Sequence, residues 1–285
     1  MKTAIVTDST AYLTPEEQAK YNISIIPLAV TIAGEVHDET DLSAEAFYDK
    51  VRASKDFPKT TQPAIGRFVA LFEQLKSEGY EEVVSIHLSS GISGTYQGAI
   101  QAGNMVEGIT VHAFDSEISC AVQGFYVLKA GELAEQGASA ATIITALEAM
   151  RPSIDAYFIV DDLAHLQRGG RLSAAAALIG GLLQVKPVLH FVDKVIVPYE
   201  KIRTRKKAMK RAEDMLAQAV KNDSITDVAI IEANCKQEAT EWMNALQKLY
   251  PQLNFKISYF GPVIGTHLGE GAIGMGFANM KASTN

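Results

Sequence analysis

Val83-Val84-Ser85-Ile86-His87-Leu88-Ser89-Ser90-Gly91-Ile92-Ser93-Gly94-Thr95-Tyr96 is the stretch that decides the fold. Its first six residues are mostly apolar and read as a β-strand. A loop of hydroxyls and glycines follows, and then a helix begins. Free backbone N–H groups point outward at such a helix entrance, and the helix dipole favours negative charge there. Ligands of parallel sheets bind outside the carboxyl ends of the strands, which is where this loop falls. A plain strand–turn–helix connection with a serine cap is the competing structural reading. The loop also approaches a nucleophile elbow, G-x-S-x-G, but Gly91-Ile92-Ser93-Gly94-Thr95 ends in Thr and misses it.

The same alternation extends outward in both directions. Ala4–Val6 reads as a short strand. Thr14-Pro15-Glu16-Glu17 opens a helix with a capping residue, a proline at the first position and a capping box. Ile23–Thr31 reads as one strand. Ser43 opens a second helix, and a third, after Gln62-Pro63, carries Phe68, Leu71, Phe72 and Leu75 at helical spacing. Ile109–Phe114 is a strand, followed by helices at about 119–136 and 139–150. The second half starts with a strand at Ala156–Val160 and turns at Arg168-Gly169-Gly170-Arg171. Pro187–Phe191 and Val195–Tyr199 flank Asp193-Lys194 as a hairpin. Then come a helix (about 204–220), a strand (227–232), a helix (237–250), a strand (254–259) and a Gly-rich end. The βαβα order predicts an α/β fold, with an N-terminal parallel-sheet domain at 1–155. A C-terminal mixed α/β domain follows at 156–285, and a discontinuous division is left open.

The chain has 285 residues, 47% of them hydrophobic and 21% charged. That excludes a disordered polypeptide, because there is ample apolar surface to bury. The net charge of −7 argues against a general nucleic-acid binder. Two distant cysteines, Cys120 and Cys235, and six scattered histidines give no disulfide framework and no metal-ligand spacing. The apolar stretch at the N-terminus is too short for a signal peptide. The longest apolar run, Ala174–Leu183, is too short for a membrane span, so a cytoplasmic location is expected.

Three further segments bear on chemistry. Lys59-Thr60-Thr61-Gln62-Pro63 places two hydroxyls at a helix entrance, where capping is the simpler role and anion donation the other. Gly269-x-Gly271-x-x-Gly274 matches the letters of a dinucleotide fingerprint, but no second strand and acidic residue follow in the 11 residues that remain. These glycines are read instead as close-approach positions, with His267 beside them. Lys201, Arg203, Arg205, Lys206, Lys207, Lys210 and Arg211 put seven positive charges into eleven residues, leaving 19 positive against 33 negative elsewhere. Such polarity fits an anionic partner or a membrane surface, and equally a solvated helix face. No aromatic residue lies among them to stack bases.

Taken together, the chain resembles the DegV family, the fatty-acid-binding (FakB-type) subunits of bacterial fatty acid kinase. The resemblance spans nearly the full length. It rests on Thr7-Asp8-Ser9, Ile26-Pro27-Leu28, Thr60-Thr61-Gln62-Pro63 and the loop from Ser89 to Tyr96. It continues through Asp115-Ser116, Arg168-Gly169-Gly170-Arg171, Lys186-Pro187 and His267-x-Gly269-x-Gly271-Ala272. Two departures stand out. Thr61 replaces the family's usual Ser, and Glu270 replaces a Pro, bringing a negative charge toward the carboxylate site.

The resemblance implies a long-chain fatty acid, such as palmitate or oleate, held between two α/β domains. It implies no cofactor, no metal and no catalytic residue in this chain. Thr60, Thr61, Ser93, Gly94 and His267 carry over as the carboxylate-binding set. Arg203, with Arg205 and Lys206 beside it, carries over as the docking site for an ATP-dependent kinase subunit or a transient membrane contact. The kinase would convert the presented acid to acyl phosphate for phospholipid synthesis; no G-x-x-x-x-G-K-[ST] occurs here. Neutral hydroxyl donors suit the task, since a buried arginine would hold a carboxylate tightly. A serine-dependent lipid hydrolase built on Ser93 and His267 is the alternative.

Overall fold

The computed structural model describes residues 2–172, 186–222 and 225–282. Its first sheet is four-stranded and wholly parallel, in the order β2-β1-β6-β7. The strands are β1 (Thr3–Asp8), β2 (Ser24–Ile26), β6 (Glu82–His87) and β7 (Thr110–Asp115). Every residue of β1 and β6 is buried. Parallel strands covered on both faces read as continuous apolar runs for this reason. Side chains alternate between the faces. Ala4, Val6 and Val83 pack on α3 (Ile65–Ser77) and α4 (Thr95–Gly103) through Phe68, Phe72, Leu75, Ala99 and Ala102. Ile5, Val84 and Ile86 face the other way, toward α5 (Cys120–Glu135) and α6 (Ala140–Met150).

The second sheet has six strands in the order β10-β9-β8-β13-β11-β12 and is mixed. It comprises β8 (Asp155–Ile159), β9 (Val188–Val192), β10 (Val195–Glu200), β11 (Asp227–Glu232), β12 (Asn254–Tyr259) and β13 (Ile273–Ala278). Only β11 and β12 pair in parallel. One face packs Tyr157, Ile159, Val228 and Ile230 under α8 (Arg205–Asn222) and α9 (Lys236–Leu249), where Leu216, Trp242 and Leu246 cover them. The opposite face, with Ala156, Phe158, Ala229 and Ile231, turns inward to α5. Helix α5 therefore lies between the two sheets, and its buried residues run round its whole circumference from Cys120 to Val127. A helix apolar on all sides belongs in the centre of a fold.

Several elements match the sequence reading closely. Thr14 Oγ accepts from Glu17 N–H while the Glu17 carboxylate accepts from Thr14 N–H, so α1 (Pro15–Lys20) starts with a complete capping box. Ser43 caps α2 (Ala44–Ala53) through Ala46 N–H, without a reciprocal acid. Asp193 and Lys194, both at positive φ, close the β9–β10 hairpin. A short α7 (Ala164–Arg168) leads into the Gly169-Gly170 turn.

One expectation is corrected. Ile23–Thr31 is two strands, because Pro27 ends the ladder and Leu28 N–H turns to the Ser9 hydroxyl. Beyond that break, β3 (Ala29–Ile32) joins β4 (Glu35–Asp38) and β5 (Lys59–Thr61) in a separate antiparallel sheet. The Gly-rich end, to which the sequence reading assigns no element, forms α10 (Pro262–Leu268) and then β13, inside the second sheet. There Ile273, Met275 and Phe277 face α8 and α9, while Gly274, Gly276 and Ala278 alternate with them toward the interior. The run Ala174–Leu183, read as apolar, lies outside the described residues.

A side chain at Gly276 has nowhere to go. A Cβ there would stand 2.1 Å from Val122 Cγ2 and 3.2 Å from the Asp155 carbonyl oxygen. Overpacking of this kind costs about 1–3 kcal/mol. Gly276→Ala is expected to lower the unfolding free energy by that amount, seen in equilibrium unfolding as a lower urea midpoint at an unchanged denaturant slope.

Candidate functional site

The loops leaving the parallel sheet, the small antiparallel sheet, α10 and the inner face of the second sheet enclose a cavity. It holds about 800 Å³ of empty space, part of it open to solvent. Most of the wall is apolar, with Leu88, Phe158, Phe191, Ile196, Val263 and Leu268 among its residues. Thr60, Gln62, Ser93, Arg171 and His267 also line it, and they stand together. Thr60 Oγ1 and His267 Nε2 are 2.9 Å apart. Arg171 Nε donates to the Ile92 carbonyl at 3.2 Å, one residue before Ser93. Gln62 presses so closely on Gly94 that a Cβ on that glycine would sit 2.2 Å from the Gln62 amide oxygen.

Each of these side chains has a local reason for its place. β5 alternates, so Thr60 points inward and Thr61 is exposed. The Ser93 hydroxyl meets Thr95 Oγ1 at 2.8 Å and accepts from Thr95 N–H at 3.3 Å, at the entrance of α4. His267 stands in the last turn of α10, where Gly169 lies directly over Nδ1. Burial first, then the positive charge of Arg171 and the neighbouring His165, push its pKa down to about 3. His267 is therefore neutral near pH 7. Burial also lowers the Arg171 pKa, yet its guanidinium has no acidic partner among the described residues.

The residues expected from sequence separate accordingly. Thr60, Ser93 and His267 converge on the cavity, and Gly94 supports it by lacking a side chain. Thr61 lies outside the lining, and neither Thr60 nor Thr61 caps α3, which has no side-chain cap. Glu270 is exposed, pairs with Arg52 and accepts from Asn234, so its charge is satisfied away from the lining. In the basic run, Arg203 and Lys206 are exposed. Arg205 is half-buried in a two-pronged bond to Glu238 at 2.8–3.0 Å, with Asp161 at 3.3 Å. Lys210 and Arg211 likewise pair with acids. The polar part of the lining is not confined to neutral donors, because Arg171 is among its residues. Arg171 and Gln62 both lie inside motifs that carry the resemblance, Arg168-Gly169-Gly170-Arg171 and Thr60-Thr61-Gln62-Pro63, yet neither has a site role in the sequence reading.

Two buried carboxyl groups lie behind this site. Asp8 has no exposure and accepts from Thr10 N–H and Oγ1, Leu88 N–H and Gln123 Nε2, at 2.6–3.2 Å, with His87 Nδ1 at 3.0 Å. Burial raises its pKa, but the hydrogen bond and charge of His87, then Thr10 and Leu88, outweigh this and hold it below the ordinary value. Glu39 accepts from Ser9 Oγ at 2.5 Å, Tyr12 OH at 2.9 Å and Val263 N–H at 2.8 Å. Burial prevails there and raises its pKa to about 7.

Comparison with known proteins places these features in a group. The sequence profile of the DegV family of uncharacterised proteins matches residues 2–280. A DegV domain-containing protein of Listeria innocua is 50% identical over 275 residues, covering 96% of this chain and 97% of its own. The crystal structure of DegV, a fatty acid binding protein from Bacillus subtilis, superposes with a TM-score of 0.92. It is 51% identical, covering 98% of this chain and 99% of the other. A fatty acid binding DegV family protein of Streptococcus agalactiae gives a TM-score of 0.90 at 36% identity, covering 98% and 99%.

The two shifted groups give stability opposite pH slopes. His267 moves from 6.5 down to about 3, so its contribution is complete above about pH 6.5 and is lost as pH falls toward 3. Glu39 moves from 4.5 up to about 7, so its contribution is complete below about pH 4.5 and is lost as pH rises through 7. In urea unfolding between pH 3 and 8, His267→Gln is expected to flatten the acid limb. Glu39→Gln is expected to remove the decline between pH 4.5 and 7. Unchanged profiles would contradict these assignments.

Proposed function

The chain belongs to the DegV family, and from that premise we propose that it binds one long-chain fatty acid and presents its carboxylate to a separate ATP-dependent kinase. The kinase forms acyl phosphate, which enters phospholipid synthesis. The observation that carries the binding step is the cavity: a mostly apolar wall with Thr60, Ser93, Arg171 and His267 grouped on it. In this reading the acid lies between an N-terminal unit (1–155) and a C-terminal unit (156–285).

The energetics divide the work. A 16-carbon acid has about 14 methylenes, and burying each contributes about 0.8 kcal/mol, so the tail supplies roughly 11 kcal/mol. The head group then needs orientation more than affinity. Ser93 and Thr60 offer hydroxyl donors, Arg171 offers charge, and a neutral His267 adds a polar contact without a second full charge. A carboxylate and an acyl phosphate are both anions, and this set accommodates either.

The hydrolase alternative draws no support from the geometry. His267 Nε2 meets Thr60, and the Ser93 hydroxyl meets Thr95. Among the described residues no hydrogen bond joins Ser93 to His267, as a nucleophile and its base require.

Docking to the kinase, with transient contact at an anionic membrane, falls to exposed Arg203 and Lys206, flanked by exposed Lys201 and Lys207. Arg205 acts differently: it ties α8 to α9 through Glu238. Among the described residues, no helix is long and apolar enough to cross a membrane.

Mass spectrometry of the organic extract of purified protein is expected to show a long-chain fatty acid, or added palmitate is expected to bind. Failure of both removes the carrier reading. Ser93→Ala is expected to weaken palmitate binding roughly tenfold, the effect of one hydrogen bond to a charged group. Acyl phosphate formation with the kinase should fall further than binding. Arg203→Glu is expected to leave palmitate affinity unchanged and to reduce acyl phosphate formation; equal turnover by both proteins would remove Arg203 from the docking surface.

A further inference from the structure

The Thr7-Asp8-Ser9 segment at the end of β1 has no place in the carboxylate site, yet it carries the densest buried polar network in the vicinity. Asp8 spends both oxygens on groups from three elements. Oδ1 takes Thr10 N–H and Oγ1 from its own turn. Oδ2 is shared by His87 Nδ1 and Leu88 N–H at the end of β6 and by Gln123 Nε2 of α5. His87 Nε2 in turn meets Ser85 Oγ at 2.7 Å. Ser85, His87 and Asp8 thus stand in the order of a hydrolytic relay. All three have zero exposure and none lines the cavity, so no substrate reaches them. The relay holds structure rather than performing chemistry.

What it holds is the loop with Ser93. Leu88 N–H, pinned to Asp8, is the last amide before Ser89. The Ser89 carbonyl then accepts both Ile92 N–H and Ser93 N–H, so the Ser93 hydroxyl stands where Leu88 and Ser89 leave it. Ser9 begins a second arm. Its hydroxyl donates to Glu39 and accepts Leu28 N–H at 3.1 Å. Glu39 accepts Val263 N–H in the first turn of α10, and His267 follows four residues later on the same face. Glu39 N–H also donates to the Leu28 carbonyl, just before β3, whose partner β5 carries Thr60. Both members of the Thr60–His267 contact therefore depend on Glu39.

We propose that Asp8 and the Ser9–Glu39 pair are positioning residues for the carboxylate site, Asp8 setting Ser93 and Ser9–Glu39 setting Thr60 and His267. The inference rests on the fatty-acid reading and deepens it. It assigns the buried acids to head-group recognition, since the tail is held by apolar contact that does not require hydroxyls placed to a fraction of an ångström.

The test compares palmitate with its methyl ester, which shares the tail and lacks the charge. Asp8→Asn, Ser9→Ala and Glu39→Gln are each expected to lose about tenfold in palmitate affinity and less than about twofold for the ester. Combining Asp8→Asn with Ser93→Ala is expected to cost little more than Ser93→Ala alone, because both act through one hydroxyl. Thr10→Val, which removes one donor to Asp8 and keeps the side-chain shape, serves if Asp8→Asn does not fold, with a smaller loss of the same selectivity. Equal losses for acid and ester, or no loss for either, would overturn the inference while leaving the carrier reading in place. A parent protein that takes up neither ligand would overturn both.

Discussion

Helix α5 has no exposed face over its first two turns, and that single constraint orders the rest of the molecule. A helix of this kind is stable only when covered on every side, so a sheet must lie on each flank. The parallel sheet supplies one through Ile5, Val84 and Ile86, and the mixed sheet supplies the other through Ala156, Ala229 and Ala278. The fit is close enough to exclude side chains on both sides. Gly124 lies against the Ala11 carbonyl, and Gly276 of β13 lies against Val122. At the N-terminal end of α5 the two sheets diverge around the cavity, with Cys120 and Val122 among its walls.

The polar end of the cavity illustrates how burial selects protonation states. Low polarity disfavours charge in general, and the three groups respond in different ways. His267 stays neutral, because a proton there would add a charge to a buried ring beside Arg171. Arg171 keeps its charge and spends donors on the Ile92 and Gly169 carbonyls. Asp8 stays ionised because five donor contacts replace the water it has lost. The cavity thus carries one cation framed by neutral donors, and the acids behind it are already satisfied by their own partners.

Much of this was legible in the sequence wherever the signal was local. The capping box of α1, the Asp193-Lys194 hairpin and the length of α5 each depend on residues within a few positions. Thr60, Ser93 and His267 were identified as motif residues, and the fold brings them to one cavity. The failures came where the deciding partner is distant in sequence. β2 and β3 are three and four residues long, too short for periodicity to reveal that they belong to different sheets. β13 did carry a period of two, bulky residues at 273, 275 and 277 against small ones at 274, 276 and 278. Glycines suppress strand propensity, so the pattern suggests no strand, and only Val122 and Phe158 explain why those positions must be small. Arg171 was invisible as a site residue because its neighbours come from the loop with Ile92 and from α10.

The place of β13 within the second sheet also sets an order of assembly. β8 and β11 do not pair with each other; each pairs with β13, and Ile159 meets Ile273 across more than a hundred intervening residues. Such long-range pairing carries a loop-closure cost and is slow. The parallel sheet needs only segments from the first 115 residues, so it is complete in principle much earlier. Until β13 is inserted, Val122 and the adjoining face of α5 have no cover, and the cavity lacks the wall formed by α10 and β13. A chain lacking this strand therefore leaves one flank of α5 bare and the cavity unwalled on that side. The cavity is complete only when this strand locks into the sheet.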